Sequence, residues 1–133
     1  QGALPACAAV VAPSREDSTY PATLCGAGVA WKLIAAHGGE RAAMDYLVLA
    51  GLATVADVMP LLDENRAIVT QALRRLNAGD APVGLLELAY LARGRDKHLR
   101  AQDLAFALAP RINAAGRMGE AGVAMRLLCT DLE

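Results

Sequence analysis

The stretch Gly51-Leu-Ala-Thr-Val-Ala-Asp-Val-Met-Pro-Leu-Leu-Asp-Glu-Asn-Arg66 decides how the rest of the chain is read. Its first half continues an apolar run over residues 46–53 as far as Met59, interrupted by a single charge, Asp57. Such a run, with no polar face, describes a deeply buried helix. The second half starts anew at Asp63, a residue type whose side chain accepts hydrogen bonds from the free N–H groups of a helix start. Beyond it Ile68, Val69, Ala72, Leu73 and Leu76 recur at helical spacing, and Gly79 supplies a stop. Two helices are therefore predicted to meet near residues 57–62, with a carboxylate at their junction.

Working upstream, the buried helix is predicted to begin at Glu40, with Met44, Leu47 and Val48 inward. Before it, Ala27, Ala30, Trp31 and Ile34 share one face of another helix starting near Gly26, and Gly38-Gly39 ends it. Residues 14–21 read as an exposed polar loop. Residues 6–12 (Ala-Cys-Ala-Ala-Val-Val-Ala) form a short apolar run closed by Pro13, which fits a strand buried on both faces of a parallel sheet. Downstream, Pro82 suits the first turn of a helix carrying Leu85, Leu86 and Ala89. A charged connection follows over residues 93–100, then a helix over 101–108, an irregular stretch over 109–119, and a last helix from Glu120. The expected fold class is α/β: one strand, then five or six helices, as though the rest of a parallel sheet lay upstream.

Composition bounds the function. With 133 residues, 55% hydrophobic and 20% charged, the chain has material for a core and is not a disordered polypeptide. A formal charge of −1 gives no global basic surplus of the kind that marks many nucleic-acid binders. Cys7, Cys25 and Cys129 are an odd, widely spaced set without a Cys-x-x-Cys pair, so reduced thiols are expected rather than a disulfide framework. No apolar stretch reaches the roughly 20 residues of a spanning helix, and residues 1–5 carry no basic leader. The expectation is a soluble cytoplasmic chain with no membrane partner. It opens at Gln1 without Met and stops within a helical pattern at Glu133, which reads as an excerpt of a longer protein.

Most carboxylates have an obvious surface or capping task, but Asp57 stands among Val55, Ala56, Val58 and Met59. Desolvating a carboxylate costs several kcal/mol unless it is paired, hydrogen-bonded or bound to a cation. Asp57 thus either ends a helix and caps nearby N–H groups, or is one ligand of a hard divalent cation whose other ligands come from elsewhere. Another unusual stretch is Ala109-Pro-Arg-Ile-Asn-Ala-Ala-Gly-Arg117. Arg111 and Arg117 flank Asn113, and paired guanidinium donors suit phosphate oxygens. The plain reading is a turn with solvated arginines and a capping Asn. Asp63 and Glu64 read as a helix start, His37 as a partner of a helix C-terminus, and His98 as exposed.

Three segments in this order resemble the DHH phosphoesterase superfamily, in its branch of single-strand-specific exonucleases. They are Cys25-Gly-Ala-Gly-Val-Ala-Trp-Lys-Leu33, Gly51 to Arg66, and Ala109 to Arg117. The stretch from Leu4-Pro to Pro13 resembles the segment just downstream of that superfamily's Asp-His-His motif. The resemblance implies that residues 1–133 are the C-terminal portion of a DHH catalytic domain. It further implies a metal-dependent enzyme that removes nucleotides from single-stranded DNA in the 5′-to-3′ direction, by two-metal phosphodiester hydrolysis, in recombination and repair. Asp57 matches the late metal-binding aspartate, hence a catalytic metal ligand for Mn2+ or Mg2+. Arg111, Asn113 and Arg117 would lie at the DNA phosphates, and a helicase and a single-strand-binding protein would be further partners.

The departures matter as well. Asp-His-His, the earlier aspartates, the DHH-associated domain and the OB domain are absent from these residues, and Ala109 stands where the superfamily usually has Gly. The parent protein is expected to be the enzyme and this chain alone inactive. Competing readings are a short-oligonucleotide or cyclic-dinucleotide phosphodiesterase of the same superfamily, and a non-catalytic helical interaction module. An excerpt of this kind is expected to expose an apolar face around Val10, Val11 and residues 46–58 and to self-associate.

Overall fold

Gly39 folds the longest helical segment back on itself. In the computed structural model, which describes residues 6–16, 18–20 and 23–130, α1 spans Gly26–Ala56 but is interrupted at Gly39, with φ 84° and ψ 167°. Only glycine adopts that conformation readily, so the predicted stop at Gly38-Gly39 is a sharp break between two helical halves. The halves run back alongside each other. The Trp31 Nε1–H donates to the Ala43 carbonyl at 2.7 Å, and the Cys25 sulfur lies 3.6 Å from the Thr54 hydroxyl.

The second half of α1 packs on α2, Asp63–Asn77. Their closest approach is at Gly51, where an added Cβ would lie 2.3 Å from the Ala72 Cβ. α3, Val83–Arg93, meets α6, Ala121–Leu128, at an equally tight point: a Cβ on Gly84 would lie 1.9 Å from the Leu127 carbonyl oxygen. Between them come the single turn α4, Ala101–Asp103, a π-helical turn at Leu104–Leu108, and α5, Ala109–Arg117. The main core joins Val48, Leu52, Leu76, Leu85, Ala89, Leu99, Leu104, Leu108 and Ala109, so every element except α6 contributes a buried residue or its immediate connection. Asn77 pins the connection before α4: its amide donates to the Leu99 carbonyl at 2.9 Å and accepts from the Leu99 N–H at 2.7 Å.

Several expectations need correction. Residues 6–12 are bends and irregular chain, mostly exposed, and no strand occurs among the described residues. A strand buried on both faces needs ladder partners, and an alanine-rich run has little strand preference of its own. The described fold is therefore helical rather than α/β. Residues 109–117 are a regular helix, not an irregular stretch. Pro110 comes just after the π turn, within one continuous helical run over residues 101–117. The π turn before it widens the helix, which relieves the ring's usual conflict with the preceding carbonyls.

Asp63 is the first residue of α2 and makes no side-chain cap; Leu62 precedes it as the cap residue. Pro82 likewise precedes α3 as its cap residue rather than standing in its first turn. Met44 is exposed rather than inward. The expected apolar face is present only in part. Val11, Tyr46 and Val58 are exposed, whereas Leu47, Val48, Ala50, Leu52 and Thr54 are covered by neighbouring elements. No helix among the described residues is long and apolar enough to cross a membrane.

Candidate functional site

Asp57 is the residue on which α1 ends. Its backbone N–H completes the helix by donating to the Ala53 carbonyl at 2.9 Å. The next two N–H groups turn back: Val58 donates to Val55 at 3.1 Å and Met59 to Thr54 at 3.1 Å. This pair of bonds is the Schellman closure, which demands a left-handed residue just after the cap. α2 and α5 close in the same way with Gly79 and Gly119 in that place, at φ 75° and 79°. In α1 the residue is Val58, at φ 55°. A β-branched side chain there costs about 1–2 kcal/mol.

The only other non-glycine residue with positive φ among those described is Asp63, at 41°. Backbone strain is thus concentrated at the two ends of one short loop that begins beside Asp57. Behind the loop, the buried Asn65 amide donates to the Pro60 carbonyl at 3.0 Å and the Thr23 carbonyl at 2.8 Å. Arg66 Nε donates to the Leu61 carbonyl at 3.1 Å. Cys25 anchors the other side: its sulfur accepts the Gly28 N–H at 3.4 Å and touches Thr54, whose hydroxyl donates to the Ala50 carbonyl at 2.8 Å.

The Asp57 carboxylate has no structural task. It is exposed, not desolvated as its apolar neighbours in sequence suggest, because the helix end turns it outward. It makes no hydrogen bond or ion pair with any described residue, so side-chain capping is not its role. A negative charge at a helix C-terminus is also unfavourable toward the helix dipole.

Asp57 lines a cavity of about 260 Å³ together with Leu49, Leu52, Ala53, Ile112 and Asn113. The structure therefore brings Asp57 and Asn113 together across helices distant in sequence. Arg117 lies one turn beyond Asn113 on α5 and is exposed, near the cavity's side of the helix. Arg111 projects from a different side of α5 and donates from Nη1 to the Ala107 carbonyl at 2.6 Å, bracing the π turn. His37 and His98 are exposed.

Among the described residues that line the cavity, the Asp57 carboxylate is the charged oxygen ligand, of the type that suits Mn2+ or Mg2+. No group of three or more His, Cys, Asp or Glu side chains able to hold a metal occurs among the described residues. Asp57 and Asn113 are visible in the sequence by residue type and setting. Val58 is not, since valine carries no chemistry in its side chain; Asn65 falls in the Asp63–Arg66 stretch that reads as a helix start and belongs to the resemblance, but its bond to Thr23 leaves no local trace.

The chain is homologous to one segment of a class of nucleases, the single-stranded-DNA-specific exonucleases. Over most of its length it is similar to the proteins named RecJ. It is 42% identical over 129 residues to the single-stranded-DNA-specific exonuclease RecJ of Bacillus subtilis, covering 96% of this chain and 16% of that protein. Its fold matches the crystal structure of RecJ in complex with Mn2+ from Thermus thermophilus, with a TM-score of 0.65 and 42% identity over 78% of this chain and 15% of the other. The corresponding complex with Mg2+ matches with a TM-score of 0.63 and 43% identity, over 78% of this chain and 16% of the other. No family model matches. The chain spans 16% to 25% of the length of the curated relatives it matches.

Proposed function

We propose that this chain is the C-terminal portion of a DHH catalytic domain, residues 1–133, and that the protein carrying it is a metal-dependent exonuclease of single-stranded DNA, acting 5′ to 3′ in cytoplasmic recombination and repair. The parallel sheet of that domain, the remaining metal ligands, and the helicase and single-strand-binding protein that would work with it belong to the same reading. The observation that carries it is the Asp57 carboxylate: without a partner, at the unfavourable end of a helix, on a strained turn, beside Asn113. The acid brings no stability there, and the chain that carries it is similar over nearly its whole length to proteins named as exonucleases.

Two cations, Mn2+ or Mg2+, would activate the attacking water and neutralise charge on the phosphoryl group and leaving oxygen. Asp57 would supply one carboxylate to that site, and its fixed turn would set the direction of the oxygen lone pairs. Asn113, a residue of the same cavity whose amide carries both a donor and an acceptor, would orient a phosphate or sugar oxygen. Arg117 would contact a neighbouring phosphate, positioning the strand without reading bases. Arg111, already bonded to the π turn, would hold α5 in shape.

The test is end-labelled DNA given to the full reading frame that encodes this chain, with Mn2+ present. Stepwise loss of nucleotides from the 5′ end of long single strands, abolished in Asp57→Asn, supports the reading. Activity confined to di- to pentanucleotides would instead establish the short-oligonucleotide phosphodiesterase, and no hydrolysis of either would leave an interaction module.

A further inference from the structure

Asn65 is 4% exposed and stands in the first turn of α2, directly behind the loop that connects Asp57 to that helix. Both of its amide protons are committed to backbone carbonyls from opposite sides: Pro60, inside the loop, and Thr23, just before α1. Two carbonyl neighbours fix the amide's orientation, since only nitrogen can donate to them. The cost of this arrangement is visible at the other end of the side chain. Asn65 Oδ1 is buried and finds no hydrogen-bond partner among the described residues.

The loop it holds is the one bounded by Val58 and Asp63, the two non-glycine residues with positive φ among those described. Strained backbone persists only where its surroundings over-determine it. The Asn65 amide, with Arg66 Nε on the Leu61 carbonyl, fixes this loop from the α2 side.

We propose that Asn65 is a positioning residue for the Asp57 carboxylate: by tying Pro60 to Thr23 it holds the strained turn at Val58, and through it the direction in which Asp57 presents its oxygens. This rests on Asp57 being a metal ligand. Asn65 touches neither cation nor DNA and makes no hydrogen bond to Asp57; it acts through the loop backbone, one step further out than the direct supports of a ligand whose loss lowers metal affinity about tenfold or more.

The experiment is direct Mn2+ binding, by the loss of the free-ion electron paramagnetic resonance signal, to the full reading frame and to its Asp57→Asn, Asn65→Leu and Asn65→Ser variants, with melting temperature read alongside. Asn65→Leu keeps the volume without donors and should raise the Mn2+ dissociation constant severalfold, up to about tenfold. Asn65→Ser retains one donor and should give an intermediate rise, and it serves if the leucine variant does not fold. A lowered melting temperature with an unchanged Mn2+ constant in the folded variants would overturn the positioning role. If Asp57→Asn itself leaves Mn2+ binding intact, the ligand reading fails first, and the role of Asn65 with it. If Asp57→Asn weakens binding and neither Asn65 variant does, the positioning role alone fails.

Discussion

Asp57, at the C-terminus of α1, and Asn113, in the middle of α5, line one cavity although the chain between them passes through α2, α3, α4 and the π turn. The carboxylate gains nothing structurally from its place. Replacing it should therefore separate stability from activity. Asp57→Asn is expected to leave the fold unchanged or raise its stability by about 0.3–1 kcal/mol, the amount by which a charge opposes a helix dipole. In the full reading frame the same change should lower nuclease activity at least about a hundredfold, since metal clamps contribute several kcal/mol at the transition state. Urea unfolding and single-turnover hydrolysis check the two halves. A large loss of stability would mean that Asp57 is structural after all.

Val58 offers another separation. Gly79 and Gly119 occupy the matching place in α2 and α5 at no steric cost, whereas Val58 is held left-handed with its side chain 88% exposed. Val58→Gly removes strain of about 1–2 kcal/mol and adds a glycine entropy penalty of about 0.5–1 kcal/mol. The variant should come out more stable, by up to about 1.5 kcal/mol, with its urea midpoint shifted upward. A lower midpoint would show that the valine side chain makes contacts that outweigh its strain.

These two residues also show how far the fold and the site are legible in the sequence. The breaks at Gly38-Gly39 and Gly79 and the stripe through Ile68, Val69, Ala72 and Leu76 can be read directly, because glycine and apolar spacing act locally. Asp57 stands out by type, yet burial is the wrong reason: a helix end turns its last side chains outward, which neighbours in sequence do not reveal. Residues 109–117 look irregular because Pro110 looks like a breaker, while a π turn upstream accommodates it. Residues 6–12 look like a strand, but a strand exists only with its partners. The link from Asn65 to Thr23 joins segments distant in the chain and leaves no local trace.

The α1–α2 crossing should be intolerant of a single methyl group. A Cβ at Gly51 would meet the Ala72 Cβ at 2.3 Å, so the helices must separate. Gly51→Ala is expected to cost about 1–3 kcal/mol despite its better helix propensity. Ala72→Gly in that background should recover part of the loss, which gives the pair a measurable coupling energy in a double-mutant cycle. Strict additivity of the two changes would mean the helices do not cross there.

Acid sensitivity has an identifiable contributor. The Arg75 guanidinium bonds both Asp80 oxygens, Nε to Oδ2 at 2.7 Å and Nη2 to Oδ1 at 2.9 Å. That hydrogen bonding holds the Asp80 carboxyl below its ordinary value of 3.8. A carboxyl whose value is depressed on folding stabilises the fold fully above its unfolded value and loses that contribution as pH falls through the folded one. Stability should therefore decline below about pH 4, and Asp80→Asn should flatten that part of the curve. Because Asp80 is solvent-exposed, the effect at neutral pH should be at most about 1 kcal/mol.

The two arginines of α5 should behave differently toward DNA. Arg117 is exposed one turn beyond Asn113, where it can meet a phosphate, while Arg111 is engaged with the Ala107 carbonyl. Each phosphate contact on a single strand contributes a slope of about −0.7 to the dependence of log affinity on log salt. Arg117→Ala in the full reading frame should reduce the magnitude of that slope by about 0.7 and weaken binding to all sequences alike. Arg111→Ala should leave the slope unchanged and instead lower stability by about 1 kcal/mol, the worth of its hydrogen bond to the π turn. Fluorescence anisotropy of labelled oligonucleotides at several salt concentrations measures both slopes. The reverse pattern, with the slope falling in Arg111→Ala alone, would place the strand on the opposite side of α5 from Asn113 and detach it from the Asp57 cavity.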